Sequence, residues 1–392
     1  MPRAATADSV RIYLLTMGPG DDIYEVFGHN AIWVHDPKKL VDTVYNWGVF
    51  DFAAPHFILH FLQHSNTYFM WPFTFDETVR QYKELNREVW GQELNLTEPE
   101  KQALLDFLQW NSLPQNRPYG YDYYLDNCST RVRDALDKAV NGQIRAQLQR
   151  IQTEETYRSH SLRLMQGLPA IDAGVELLLG QPTDKKLTAD EAAFLPVQLM
   201  KEATPLKIDG GRPLFKETFV VYKADRSGEP DNVPKLWLWF LPISIVVTAL
   251  LFWLGSAVST GEHRRLAATT YSVIAAVFGI LGTIIFLLTT ITDHWAARWN
   301  YNGFMLNPLW LGVAVVAPLM ILRPGPRPIA TRFLQICGVL SLLAVVAHIG
   351  LSHQHNWDAI VLILPAQLAM LWMLTSRRPP IAHTLPDAPR GG

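Results

Sequence analysis

The chain is poor in cysteine and in net charge. Its 392 residues contain two cysteines, Cys128 and Cys337, which are too few for a disulfide framework. The formal net charge of −2 argues against nucleic acid as a partner. Cys337 lies in an apolar run and is most simply interpreted as a small core residue. Cys128 is the only cysteine in the polar part of the chain, so it is the candidate for a reactive thiol.

Charge is also missing from the middle of five apolar runs that follow Lys235. Most of these runs approach the ~20 residues that a helix needs to cross a bilayer. Five such runs in series favour membrane-spanning helices over the buried helices of a large soluble core. The runs cover about Leu236–Gly255, Leu266–Thr290, Phe304–Leu322, Phe333–Gly350 and Ala359–Leu374.

Basic residues concentrate in alternate loops between these runs, and this asymmetry predicts the orientation. The positive-inside rule places the C-terminus in the cytoplasm and the residues before the first run outside. The first residues, MPRAA, contain no apolar segment of an export signal, so we expect that a signal has been removed. The basic residues of these loops are Arg264 and Arg265, then Arg323, Arg327 and Arg332, then Arg377 and Arg378.

The polar N-terminal half has the pattern of an α+β domain. Apolar and alternating segments predict strands at Val10–Met17, Glu25–His35 and Asp42–Phe52, the last two forming a hairpin. Residues 127–140 show the amphipathic pattern of a helix. We expect this domain over residues 1–232, a five-helix transmembrane domain over residues 233–378 and a Pro-rich cytoplasmic tail over residues 379–392. Further helices are predicted at His56–His64, Thr78–Leu85, Pro99–Asn111 and most of Glu154–Leu179, with a short strand at Phe219–Tyr222.

The stretch Phe50–Phe75 is rich in aromatic residues. One interpretation is the core of the domain. The other is a surface that leans on the membrane or lines a groove for an acyl chain, because a lipid substrate needs apolar walls.

Cys128 is predicted to open a helix, where the positive end of the helix dipole favours the thiolate. Asp126 or Asn127 would cap this helix. His29, on a predicted strand beside Gly28 and Asn30, is the candidate base for the thiol proton. Main-chain amides at the helix start, around Asn127 and Ser129, would bind an oxyanion. The third group that orients the imidazole is predicted to be Asn46, with Asp51 second, and Glu25 is a further candidate at this site.

The remaining histidines and arginines have competing interpretations. His56, His60 and His64 recur at helical spacing, but no carboxylate or cysteine accompanies them, so we predict a polar helix face rather than a metal site. Arg131 would pair with acidic neighbours or meet a lipid phosphate. The polar residues near the outer ends of the spans would be interfacial residues or a rim that binds a phospholipid headgroup. This group contains Asp293, His294, Arg298, Asn300 and Asn302, with His353 and His355 treated as interfacial.

The order of these segments resembles the circularly permuted papain-like fold of lecithin:retinol acyltransferase-type enzymes. More specifically, FGHNAIWV, VYNWGVFDF and DNCSTRVRDAL, followed by five spans, resemble the Lnb-type bacterial lipoprotein N-acyltransferases. The resemblance covers nearly the whole chain, including Phe194-Leu195-Pro196 and Thr292-Asp293-His294. It implies a periplasmic Cys–His acyltransferase domain anchored in the inner membrane. Cys128 and His29 take the catalytic positions, and the third residue is left open.

The resemblance implies that a fatty acyl chain passes from a membrane phospholipid, through a thioester on Cys128, to the α-amine of a diacylated lipoprotein. The phospholipid, the lipoprotein and the bilayer are then the partners, and no cofactor is required. The alternative is a membrane-anchored cysteine peptidase or amidase that acts on peptidoglycan, although one span would suffice as its anchor. A sensor without catalytic activity is a third possibility, against which the intact Cys128 and His29 argue.

Overall fold

The computed structural model describes residues 10–39, 42–50, 67–167, 169–323, 325–351 and 354–376. These residues divide into two compact units. The first unit comprises the chain up to Val175, together with Thr183–Pro234 and Thr292–His294. The second comprises Glu176–Pro182, Lys235–Ile291 and the residues from Trp295 onward.

The first unit is built on a seven-stranded antiparallel sheet whose strand order is β11-β5-β1-β2-β3-β4-β6. The predicted hairpin is present, because Ala31 in β2 pairs with Asn46 in β3. The predicted strand from Glu25 was too long: it begins at His29, because Glu25 and Val26 donate their amides to Asp22 in a turn. The strands of the sheet are β1 Arg11–Met17, β2 His29–His35, β3 Thr43–Val49, β4 Thr67–Thr74, β5 Val89–Leu94, β6 Pro118–Gly120 and β11 Phe215–Tyr222.

Helices and two small sheets complete the first unit, and the last residues of one helix, Pro169–Leu178, belong to the second. The predicted helices at residues 78–85, 99–111 and 127–140 are confirmed within a few residues, and the predicted one at His56–His64 lies outside the described residues. The helices are α1 Phe75–Glu84, α2 Glu98–Asn111, α3 Cys128–Ala139, α4 Gln143–Leu148, α5 Tyr157–Met165, α6 Pro169–Leu178, α7 Ala189–Ala192 and α8 Pro196–Ala203. The small sheets pair β7 Gln152–Thr156 with β8 Lys186–Thr188, and β9 Lys207–Ile208 with β10 Arg212–Pro213.

The sheet buries apolar side chains on both faces. On one face Ile32 and Trp47 pack in a core cluster with Cys128 and Val132 of α3. On the other face Ala31 joins a smaller cluster around Tyr82. Because successive side chains of a strand point to opposite faces, Asn30 shares the face of Ile32 and Cys128, whereas His29 follows Ala31. As the first residue of β2, His29 lies beyond the last pair of the ladder with β3.

The aromatic stretch Phe50–Phe75 is partly outside the described residues, which exclude residues 51–66. Tyr68 and Met70 are buried, whereas Trp71 and Phe73 are 43% and 40% exposed. The described part of the stretch therefore contributes both to the core and to the surface.

The second unit contains five helical segments long and apolar enough to span a membrane, which agrees with the five predicted runs. The third segment is interrupted between Met305 and Leu309, and the fourth ends in a π-helical turn at Ala347–Leu351. The helices are α9 Trp237–Ser259, α10 Arg264–Thr290, α11 Asn302–Met305, α12 Leu309–Leu322, α13 Pro328–Val346 and α14 Trp357–Thr375.

Candidate active site

Cys128 is the first residue of α3, as predicted, and Asn127 is its N-cap. The Asn127 side-chain oxygen accepts from the amides of Ser129 at 2.9 Å and Thr130 at 3.0 Å. Its Nδ2 donates to the carbonyl of Phe194 at 2.9 Å. Asparagine satisfies the unpaired amides of a helix start while its own amide group ties that start to the surrounding chain.

A buried polar contact fixes the start of α3 against strand β2. The Ser129 hydroxyl lies 2.8 Å from the side-chain oxygen of Asn30 and 2.7 Å from the carbonyl of Ala193. Asn30 in turn donates to the Thr16 hydroxyl at 2.9 Å. Asn30 and Ser129 are fully buried, so these two predicted site residues hold the Cys128 helix in position.

The thiol of Cys128 occupies the opening where β2 and β3 separate. The ladder between these strands ends at the pair Ala31 and Asn46, and the amide of Asn30 faces the sulfur, where it lowers the pKa of the thiol. Gly48 has φ +90° in an irregular part of β3, and a Cβ built there would lie 3.6 Å from Cβ of Cys128. Because the Asn30 nitrogen is bonded to the carbonyl carbon of His29, the sulfur lies beside the backbone of His29.

His29 is held by Asn46, the residue predicted to orient it. Nε2 of His29 lies 3.2 Å from Oδ1 of Asn46, and Nδ2 of Asn46 donates to the Val44 carbonyl at 3.1 Å. The bond to Val44 fixes the amide orientation, so Oδ1 accepts and Nε2 carries the proton. Nδ1 is then the basic nitrogen. No hydrogen bond between described residues joins His29 directly to Cys128.

Burial sets the protonation states of both groups. It lowers the pKa of His29 to about 4, with the nearby Arg87 charge acting in the same direction and the bond to Asn46 opposing it. Burial also raises the pKa of the Cys128 thiol, although the amides of Asn30, Ser129 and Cys128 and the Arg87 charge counteract it. The amides of the helix start favour the thiolate, as expected, but desolvation outweighs them and the thiol keeps its proton in the resting site. Both groups are therefore uncharged at neutral pH.

Arg87 is a residue of this region that sequence reasoning missed. It is 3% exposed, its Nη1 lies 3.1 Å from Oε1 of Glu25, and its Nε donates to the Gly18 carbonyl at 3.0 Å. Glu25, a predicted candidate, therefore serves as the partner of this buried cation. The sequence gives little indication of the role of Arg87, since a single arginine before a strand is ordinary. Asp51, the second choice for the orienting residue, lies outside the described residues.

The other predicted residues have structural partners. Arg131 forms a two-point ion pair with Asp126, which favours the acidic neighbour over a lipid phosphate. Asn300 donates to the carbonyl of Leu177 at 2.8 Å, and Asn302 donates to the same carbonyl at 3.0 Å. Their amides are thus engaged within the second unit rather than presented as a headgroup rim.

Asp293 and His294 lie in the short segment between α10 and α11 that is grouped with the first unit. His353 lies outside the described residues, and His355 is exposed. Among the described residues no group of three histidine, cysteine or acidic side chains is arranged to hold a metal ion, and His56, His60 and His64 lie outside them.

The fold and the site define a multi-pass membrane protein whose α+β domain presents a cysteine at a helix start beside a histidine–asparagine pair. Residues 2–163 match the family model of the Lnb N-terminal periplasmic domain, and residues 234–379 match that of the Lnb transmembrane domain. The chain therefore belongs to the Lnb family, which indicates a bacterial membrane acyltransferase of lipoprotein N-acylation. No curated protein and no solved structure matches the chain.

Proposed function

We propose that this protein transfers a fatty acyl chain from a membrane phospholipid, through a thioester on Cys128, to the α-amine of a diacylated lipoprotein. One observation carries the proposal: the amide of Asn30 faces the Cys128 sulfur and lowers the pKa of the thiol, while the adjacent residue His29 is held by Asn46 at 3.2 Å. This juxtaposition supports a nucleophile, a base and an orienting group in one site.

In the first half-reaction Nδ1 of His29 takes the thiol proton as the sulfur attacks the ester carbonyl of the phospholipid. Attack and proton transfer occur together, because both groups are neutral at rest. The C–S bond forms, and the π electrons move to the carbonyl oxygen. The intermediate then expels the lysophospholipid alkoxide, which takes the proton from the His29 imidazolium. The Cys128 amide is the main-chain donor best suited to the oxyanion, since the Ser129 amide already serves Asn127.

In the second half-reaction the α-amine of the lipoprotein attacks the thioester. His29 accepts the amine proton, and the proton returns to the departing sulfur. A covalent intermediate separates the two steps, so the donor and the acceptor bind the same site in turn. The positive-inside pattern supports an inner-membrane protein with the first unit in the periplasm and the C-terminus in the cytoplasm.

The test compares the two cysteines. Purified enzyme is mixed with vesicles of a phospholipid with a labelled acyl chain, and the acyl group on the protein is located by mass spectrometry before and after addition of a diacylated lipopeptide. We expect a thioester on Cys128 that disappears as triacylated lipopeptide forms. Cys128→Ala abolishes both signals, whereas Cys337→Ala, which changes a fully buried residue of the second unit, retains them.

Triacylated product from Cys128→Ala at the wild-type rate contradicts the proposal. Cleavage of peptidoglycan stem peptides by the wild type, with no acyl group trapped on Cys128, identifies the peptidase instead.

A further inference from the structure

Several tyrosines surround the site, and two of them have buried hydroxyls without a hydrogen-bond partner among the described residues. They are Tyr119 and Tyr123. Buried polar groups in folded proteins are nearly always hydrogen bonded, because an unpaired group loses its bonds to water without compensation. Other buried polar atoms of the described residues also lack a partner, so the position of these two hydroxyls beside a nucleophile is what makes them candidates to bind a substrate.

Tyr119 is tied to the thiol by the geometry around Gly48. A Cβ built on Gly48 would lie 3.6 Å from Cβ of Cys128 and 4.0 Å from the hydroxyl oxygen of Tyr119. The hydroxyl of Tyr119 and Cβ of Cys128 therefore flank one point on β3. Cε2 of Tyr121 lies 3.7 Å from the same point, so the absent side chain of Gly48 leaves a small space bordered by Cys128, Tyr119 and Tyr121. The Tyr123 hydroxyl is not among the three atoms nearest to this Cβ position, so Gly48 does not place Tyr123 relative to Cys128 in the same way.

The ring of Tyr119 is held in this position from two sides. It belongs to β6, where it pairs with Tyr68 in β4. The guanidinium of Arg131 lies 4.3 Å from the ring centroid, and Asp126 holds that guanidinium in a two-point ion pair. A cation over the ring face stabilises this stacking. Asp126 and Arg131 thus acquire a role as supports of Tyr119.

The hydroxyl of Tyr119 is available as a donor. The amide of Gly48 faces its oxygen without forming a hydrogen bond of ordinary geometry, and the hydroxyl proton has no acceptor among the described residues. Burial raises the pKa of Tyr119 well above its ordinary value, so the hydroxyl keeps its proton. A neutral donor in a buried site is the arrangement that stabilises negative charge developing on an acyl oxygen.

We propose that Tyr119 is a further catalytic residue, whose hydroxyl donates a hydrogen bond to the oxyanion of the tetrahedral intermediates on Cys128. The inference rests on the proposed function. Tyr119 transfers no proton: the oxyanion forms as sulfur adds to the carbonyl carbon, accepts bonds from the Tyr119 hydroxyl and the Cys128 amide, and reverts to a carbonyl when the C–O bond breaks. The same donor acts on the second intermediate, in which the amine has added and the C–S bond breaks.

The experiment compares Tyr119→Phe with Tyr124→Phe. Each change removes one phenol oxygen, but the Tyr124 hydroxyl is bonded to Ser161 at 2.9 Å. Thioester formation on Cys128 is followed in a single turnover with labelled phospholipid vesicles, and its transfer to the lipopeptide is followed separately. We expect Tyr119→Phe to slow both steps by about 10²–10³-fold with little change in the donor concentration at half-maximal rate. Tyr124→Phe remains within about threefold of the wild type in both steps.

Wild-type rates of both steps in folded Tyr119→Phe overturn the assignment while leaving the thioester mechanism intact. A large loss in Tyr123→Phe with no loss in Tyr119→Phe also overturns it and transfers the role to the other unpaired hydroxyl. Slowing of one step alone contradicts a donor shared by both intermediates. Failure of the wild type to form a thioester contradicts the proposed function itself, so the two failures are distinguishable.

Discussion

Each unit of the protein contains a histidine bonded to an asparagine, and the two pairs differ in what the second ring nitrogen does. In the first unit Nε2 of His29 lies 3.2 Å from Oδ1 of Asn46. In the second unit Nε2 of His348 lies 2.6 Å from Oδ1 of Asn356. Nδ1 of His348 also lies 2.7 Å from the carbonyl of Ala344. No hydrogen bond from a described residue engages Nδ1 of His29.

The comparison separates a structural histidine from one that we propose to be reactive. An oxygen lies within hydrogen-bond distance of each ring nitrogen of His348, which is part of the π-helical turn, and Asn356 donates to the carbonyl of Glu176 at 3.0 Å. This network satisfies buried polar groups in a unit whose helices are otherwise apolar, where each unpaired group is costly. His29 has one nitrogen fixed and the other available to exchange a proton. A histidine–asparagine pair therefore does not by itself indicate catalysis. The contacts of the second ring nitrogen are also needed.

The largest expected effect comes from removing each imidazole in turn. His29→Ala should lower the rate of acyl transfer per folded molecule by about 10²–10⁴-fold, because the thiol loses its base. His348→Ala should leave that rate unchanged and lower the free energy of unfolding by about 1–3 kcal/mol, because a buried oxygen loses its donor. Single-turnover thioester formation and thermal denaturation in detergent measure the two effects. A rate loss in His348→Ala that exceeds its loss of folded protein would contradict this division.

The asparagines give a smaller contrast. Asn46→Ala should lower the maximal rate by about 10²-fold with little change in KM, since the imidazole is retained but no longer oriented. Asn46→Asp keeps an acceptor and adds a negative charge, so it should raise the pKa of His29 and move the acid limb of the rate to higher pH. Asn356→Ala should change stability alone. Equal rate losses from Asn46→Ala and Asn356→Ala would show that the effect at position 46 comes from a general loss of stability and not from a misoriented imidazole.

Local sequence signals predicted the parts of the site that depend on one segment. The capped helix start at residue 126 or 127, the helix after Cys128 and the five spans each follow from a short pattern that specifies its own structure. The pairing of His29 with Asn46 was also accessible, because a short hairpin between two recognised strands brings them together. The expected strand from Glu25 was too long because the pattern does not reveal the turn at Asp22.

The missed features depend on contacts between distant segments. Strand β5 escaped notice because its sequence, VWGQEL, does not alternate: Gln92 and Glu93 are buried there, and Gln92 is bonded to Thr204 and Thr218. Strand β4 was hidden in a continuous aromatic stretch. The place of the Tyr119 hydroxyl beside Cys128 depends on Gly48, a residue far from both in the sequence. No periodicity encodes these relations.

A third buried histidine, His160 in α5, extends the comparison to stability at low pH. Burial lowers its pKa to about 4, and the nearby Arg163 charge acts in the same direction. Because the folded-state pKa lies below the unfolded value of about 6.5, the proton favours the unfolded chain. The stabilising effect is complete above that value and is lost as the pH falls toward 4, with a slope of at most about 1.4 kcal/mol per pH unit.

His160→Phe should therefore lose less stability than the wild type between pH 7 and pH 5 and should keep the acid limb of the acyl-transfer rate. His29→Gln should also lose less stability, because burial lowers the pKa of His29 to about 4 as well, but it should lack that limb. Denaturation midpoints and pH–rate profiles of the wild type, His160→Phe and His29→Gln measure the change in stability and the acid limb. An acid limb that moves in His160→Phe would show that His29 does not set it, and the distinction between the reactive imidazole and the buried structural ones would then fail.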